Sequence, residues 1–135
     1  MTHRLLPAVL ATLALAACAT ARPNLVGQWA PQSAELGGRA FPVSSFAGAT
    51  LRLTADTYDF AGDKGSYALL SRRAPAQMDI HGREGPNAGR TIQAIYRVVA
   101  DQLTVCYQLG QGARPTDFSS SAGPQVLLVH YRRVP

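Results

Sequence analysis

From residue 91 to residue 109 the chain reads TIQAIYRVVADQLTVCYQL, with apolar and polar side chains alternating on either side of Ala100-Asp101. In the first arm Ile92, Ala94, Tyr96 and Val98 alternate with Gln93 and Arg97. In the second, Leu103, Val105, Tyr107 and Leu109 alternate with Gln102, Thr104 and Gln108. A period of two predicts strands with one buried face, and the short turn predicts a hairpin that walls a β core. The same pattern recurs along the chain. Residues 26–36 read as a first strand broken by Gly37-Gly38, 51–54 as a second, 57–60 as a third, 65–70 as a fourth and 78–81 as a fifth, ended by a glycine-rich loop at 82–89. The hairpin arms are the sixth and seventh strands and 126–134 the eighth. Residues 41–48 are irregular, with room for one helical turn, and 110–124 form a long loop. Eight short strands with turn chemistry between them predict an all-β fold, an eight-stranded antiparallel up-and-down β-barrel, because closure removes the unpaired edges.

The first residues follow a different pattern. Thr2, His3 and Arg4 precede LLPAVLATLALAA, an uncharged apolar run too short to span a membrane, which predicts a signal peptide over 1–17. Leu15-Ala16-Ala17-Cys18 resembles the lipobox of bacterial lipoproteins, which implies that Cys18 carries lipid and becomes the first residue of the mature protein. The expected organisation is a signal peptide at 1–17, a lipidated tether at 18–24 and a barrel domain at 25–135. The expected location is the cell envelope, lipid-anchored through Cys18. Ala19 in place of Asp favours the periplasmic face of the outer membrane.

Charge narrows the function classes. The formal net charge is +5, and removal of Arg4 leaves +4. The basic residues are scattered singly or in pairs such as Arg72-Arg73 and Arg132-Arg133, so no stripe suited to nucleic acid is present. With Cys18 lipidated, Cys106 is the one remaining thiol and no intrachain disulfide can form, so packing alone must hold the fold.

Gly27-Gln28-Trp29 resembles the Gly-x-Trp signature that opens lipocalins. In that family the Trp closes one barrel end beneath an Arg of the last strand; Arg133, which shares the parity of Leu127, Val129 and Tyr131, is the better candidate partner of Trp29, with Arg132 next. The order of GQW, Gly37-Gly38, MDIHG after Pro75, AIYRV, DQLTVCY, ARPTDF and VLLVHYRRV resembles an uncharacterised bacterial lipocalin-like domain family over about residues 25–134. That family carries no established activity. The chain is shorter than ordinary lipocalins and has no room for the helix that usually precedes their end, which argues against a large cavity.

Tyr58, Tyr67, Tyr96, Tyr107 and Tyr131 fall on the inward parity of their strands, together with Phe60 and Met78. Buried phenols need hydrogen-bond partners. A mutual network, water in an open mouth and the polar end of a ligand all meet that need. These seven residues are the candidate ligand-binding set. Their bulk favours a small cavity confined to one end, opposite Trp29. In the loop at 110–124, Arg114 and Asp117 are placed to pair across a turn and Phe118 to fold over a barrel end; a loop pinned by its own polar groups is the alternative. Asp79 and His81 share a face on which they could orient one another as an acid-base pair does, but an outward i, i+2 pair of this kind reads by default as solvated surface. His81 and His130 lack ligand spacing, so no metal is expected. Cys106 has no basic neighbour to activate it and reads as packing. Without a convergent catalytic constellation, the sequence predicts no enzyme and no cofactor. The expected function is binding of a small apolar or amphipathic ligand, and the alternative is a non-enzymatic protein interaction module with a filled barrel.

Overall fold

Alternation along the chain becomes a closed sheet. In the computed structural model, which describes residues 24–71 and 73–135, the strands are β1 (Gly27–Leu36), β2 (Arg39–Phe41), β3 (Leu51–Leu53), β4 (Thr57–Phe60), β5 (Asp63–Ser71), β6 (Ala76–Glu84), β7 (Thr91–Val99), β8 (Gln102–Gln108) and β9 (Val126–Arg133). The expected signal peptide and the lipid-bearing Cys18 lie outside the described residues. Each strand from β3 to β9 pairs antiparallel with the next, β3 pairs with β1, and β9 returns to β1. The result is an eight-stranded up-and-down barrel.

Closure is made by the long pairing of β1 with β9, from Trp29 opposite Arg133 to Leu36 opposite Leu127. Its register shifts between Pro31 and Ser33, where Pro31 has no N–H to give the ladder. The first three residues of β1 also pair with β3 and its last three with β2. The short β2, unforeseen in the sequence because three residues show no periodicity, is the ninth strand. A 3-10 turn at Val43–Phe46 follows it, in the segment expected to hold one helical turn.

The interior is built by the inward rows. Tyr67 lies opposite Ile80 and Ile80 opposite Ile92, while Tyr96 faces Val105 and Val105 faces Val129. Trp29, Ala94 and Leu103 are fully buried in this core. Each large apolar side chain so buried contributes about 1.5–3 kcal/mol. Two glycines are required by close approach: a Cβ on Gly65 would sit 1.9 Å from the His81 carbonyl oxygen, and one on Gly82 would sit 1.9 Å from that of Asn87. Antiparallel order places the turns alternately at two ends. The start of β1, the 54–56 turn, Ala100-Asp101 and the end of β9 share one end. The 37–50 segment, the 61–62 turn, the 85–90 loop and the 109–125 loop share the other.

Candidate functional site

At the first end the barrel is closed. The indole of Trp29 is fully buried and donates its Nε1–H to the Leu25 carbonyl at 3.0 Å. The Arg133 guanidinium lies 4.2 Å from the indole ring centre. Arg133 also donates to the Val26 and Asn24 carbonyls, each at 2.8 Å, and its Nε is 3.8 Å from the Asp101 carboxylate. One side chain thereby ties the last strand to the segment that enters the first. Gly27 leaves room for it: a Cβ there would come within 2.9 Å of Arg133 Nη1.

Toward the other end lies a cavity of about 200 Å³. Its walls are aliphatic side chains such as Leu53, Ile80, Ile92, Leu103 and Val129. Of the seven candidate binding residues, Tyr58, Phe60, Tyr67, Met78, Tyr107 and Tyr131 line this space. Tyr96 is buried in the same core but does not line the cavity. Inside, the hydroxyls of Tyr107 and Tyr131 hydrogen-bond to each other at 2.8 Å. Tyr67 instead turns toward the closed end and donates to the Thr54 carbonyl at 2.6 Å. Burial raises the pKa of both Tyr107 and Tyr131, and the neighbouring Tyr131 raises that of Tyr107 further. Two different hydrogen-bonding devices thus satisfy these phenols, one a mutual pair and one a backbone carbonyl.

Two rim residues were not evident in the sequence. Asp63 opens β5 opposite Phe60, and Asn87 comes from the 85–90 loop; both line the cavity. Tyr58 donates its hydroxyl to Asp63 Oδ1 at 3.2 Å, and Asn87 Nδ2 donates to Asp63 Oδ2 at 2.7 Å. Burial and then the Asp63 charge push the Tyr58 phenol up to about 12. Asp63 shares its parity with the inward Gly65 and Tyr67, a signal hidden by reading residues 61–64 as a turn. Asn87 lies in an aperiodic loop and gave no such signal. Phe46 also lines the mouth, edge-on to Phe60 with ring centres 5.5 Å apart.

Comparison with protein-family models, curated proteins and solved structures finds no match to this chain.

The 109–125 loop takes a course that departs from two expectations, the cover of a barrel end by Phe118 and the pairing of Arg114 with Asp117. Ile95, Cys106 and Leu128 face outward in one row across β7, β8 and β9, and Val126 joins them. Phe118 packs on this row, and Arg97 lies over the Phe118 ring at 4.5 Å. Phe118 therefore covers the outer wall and not a barrel end, because an outward apolar row would otherwise face water. Arg114 pairs with Asp79, not with Asp117. Its Nη1 reaches the Met78 and Ala94 carbonyls, each at 2.9 Å, so the sheet offers three acceptors where Asp117 would offer one group. Asp79 is thus engaged by Arg114, while His81 bonds Thr91, its cross-strand partner, at 3.0 Å between Nδ1 and Oγ1. The Asp79–His81 couple does not form. Further along, buried Ser120 accepts from the Gly38 N–H at 2.9 Å and donates to Glu35 at 3.3 Å, pinning the loop to the β1–β2 hairpin.

This strap encloses Cys106. Burial, with the charge of Asp117, pushes its thiol up to about 11, and its Sγ lies 3.6 Å from the Ser119 carbonyl oxygen. Such a thiol is a poor nucleophile at neutral pH. Among the described residues, no three His, Cys, Asp or Glu side chains are grouped closely enough to hold a metal ion. The arrangement offers a sheltered apolar volume with hydroxyls inside and a carboxylate at its rim.

Proposed function

We propose that the barrel is the binding domain of an envelope lipoprotein, that it belongs to the uncharacterised bacterial lipocalin-like family its sequence resembles, and that it holds one small apolar or amphipathic molecule. The observation that carries this reading is the cavity of about 200 Å³, walled by aliphatic side chains and edged by polar groups that converge on it. A few oriented polar groups in an apolar recess are the usual makings of a small-molecule site. The volume equals roughly seven waters at about 30 Å³ each, so the tail is short. Binding of this kind needs no catalytic group. It is also more economical than the interaction-module reading, which calls for a filled barrel. Anchoring follows the sequence: several acyl chains on Cys18, at about 0.8 kcal/mol per buried CH₂, hold a protein stably where one chain is marginal.

The test titrates the soluble domain, residues 19–135, with short hydrophobic probes and with extracts analysed by native mass spectrometry. A probe should bind the wild type and be displaced when Val129→Trp fills the interior, while the outward Gln93→Ala leaves it bound. A folded domain that takes up no probe at high micromolar concentration refutes the reading. In cells, labelled palmitate should enter the wild type and not Cys18→Ser; equal labelling of both would remove the anchor.

A further inference from the structure

The mouth of the cavity is rich in acceptors and poor in donors. Asp63 brings two carboxylate oxygens with about four acceptor positions, of which Tyr58 and Asn87 fill two. The Tyr58 hydroxyl spends its proton on Asp63 and presents lone pairs to the same space. Among the described residues, no ion pair engages Asp63; the nearby Lys64 lies 3.9 Å from Asp59 on the outside of the hairpin. Arg90, the cation nearest in sequence to Asn87, is exposed, donates to Asn87 Oδ1 and to the Leu109 carbonyl, and does not line the cavity. The rings of Phe46 and Phe60, set edge to face at 86°, line the same cavity as Asp63. A carboxylate, a phenol oxygen and aromatic faces around an apolar recess form the chemistry that receives an organic cation.

We propose that the polar end of the ligand is an ammonium group, seated at Asp63 between Tyr58 and the Phe46–Phe60 pair, with a short apolar tail inside the barrel. This rests on the cavity being a binding site and specifies what it selects. Asp63 is half-buried with acceptor positions to spare, and an ammonium supplies N–H donors and a full opposite charge. A fatty-acid head group meets the reverse situation, since its carboxylate would face that of Asp63 and find few donors. The surroundings thereby discriminate by charge, not only by size. The hydroxyls of Tyr107 and Tyr131 bond to each other, which uses one of their two protons and leaves one O–H donor inside the barrel.

The experiment is calorimetric titration of the soluble domain at pH 7 and low ionic strength with four probes sharing one tail: hexylamine, hexyltrimethylammonium, hexanol and hexanoate. Hexylamine should bind at least about tenfold more tightly than hexanol, as a hydrogen bond to a charged group outweighs a neutral one. Hexanoate should bind more weakly than hexanol. Asp63→Asn keeps an acceptor for Tyr58 but removes the charge, and should abolish the preference for amine over alcohol. Asp59→Asn, on the outer face of the same hairpin, should leave it unchanged. Tighter binding by hexyltrimethylammonium than by hexanol would support a cation held chiefly by charge and aromatic faces. Equal affinity for amine and alcohol, or a preference that survives Asp63→Asn, would overturn the ammonium assignment while leaving the cavity reading intact. No binding of any probe by a folded protein would remove both.

Discussion

Replacing Trp29 by Ala tests how the barrel is held together. The indole is fully buried, and its N–H meets the Leu25 carbonyl at 3.0 Å. Losing so large a buried ring costs about 3–5 kcal/mol, the hydrogen bond being part of that sum. Arg133 keeps its bonds to the Val26 and Asn24 carbonyls, so the change strands no cation in the core. Its contact with the ring is a separate quantity, about 0.5–2 kcal/mol. It is read from a double-mutant cycle of Trp29→Ala with Arg133→Met. A domain of this size is stable by about 5–15 kcal/mol, so Trp29→Ala removes a large fraction of the total. Urea unfolding followed by far-UV circular dichroism is the assay, because the variant lacks the chain's one tryptophan and with it that fluorescence. Trp29→Phe, which keeps an aromatic ring but no N–H donor, should lose less. A midpoint for Trp29→Ala within error of the wild type would refute the closure argument. A coupling of zero would show that the guanidinium is held by the backbone carbonyls alone.

Two further predictions concern the strap and the phenols. Phe118→Ala should cost about 2 kcal/mol, half the price of a fully buried ring, and should speed maleimide labelling of Cys106 without altering probe binding; unchanged labelling, or loss of the probe, would contradict a strap on the outer wall. Stability should fall above about pH 10: the phenols of Tyr58, Tyr107 and Tyr131 titrate higher in the folded chain than in the unfolded one, so between those values the unfolded state holds fewer protons and gains ground. The slope reaches at most about 1.4 kcal/mol per pH unit for each fully buried phenol. Urea midpoints that stay level from pH 8 to pH 11.5 would exclude such burial.

How far the sequence reveals this molecule depends on what sets each feature. Period-two alternation reports which side of a strand meets the core, so the eight strands and the inward positions of Tyr58, Tyr67, Tyr107 and Tyr131 were legible. Turn composition reports where strands stop, but only roughly. β6 runs on to Glu84 because Gly82 admits the close pass of Asn87, not because glycine ends the strand. The strap was misjudged because its partners are remote: Arg114 meets Asp79, thirty-five residues away. Its signal was present in the hairpin. Ile95 and Cys106 break the polar alternation of the outward face, and Leu128 does the same on β9, so three outward apolar positions on adjacent strands already required a cover. Asp63 was legible by parity with Tyr67, and Asn87 by nothing local.

The two ends of the barrel differ in how fully their interior is packed. At the closed end the Trp29 indole N–H and both terminal nitrogens of the Arg133 guanidinium are hydrogen-bonded, and the contacts join the first and last strands, so a change there is felt by the whole sheet. At the other end the interior is left partly empty. A void of about 200 Å³, at about 24 cal/mol per Å³, corresponds to as much as about 5 kcal/mol of packing forgone if it were dry and enclosed. A larger side chain at a lining position such as Val129 would recover part of that sum by ordinary substitution. Filling the space would also bury Asp63 and Tyr58 away from water and leave the carboxylate without its solvent. The acid at the rim and the void beneath it therefore support one another: the void keeps the carboxylate wet, and the carboxylate makes the void costly to fill. Val129→Leu with Asp63→Leu separates these effects. The double variant should be more stable than either single change predicts, and it should no longer bind a short amine. Additive stabilities would show that the acid and the void are independent.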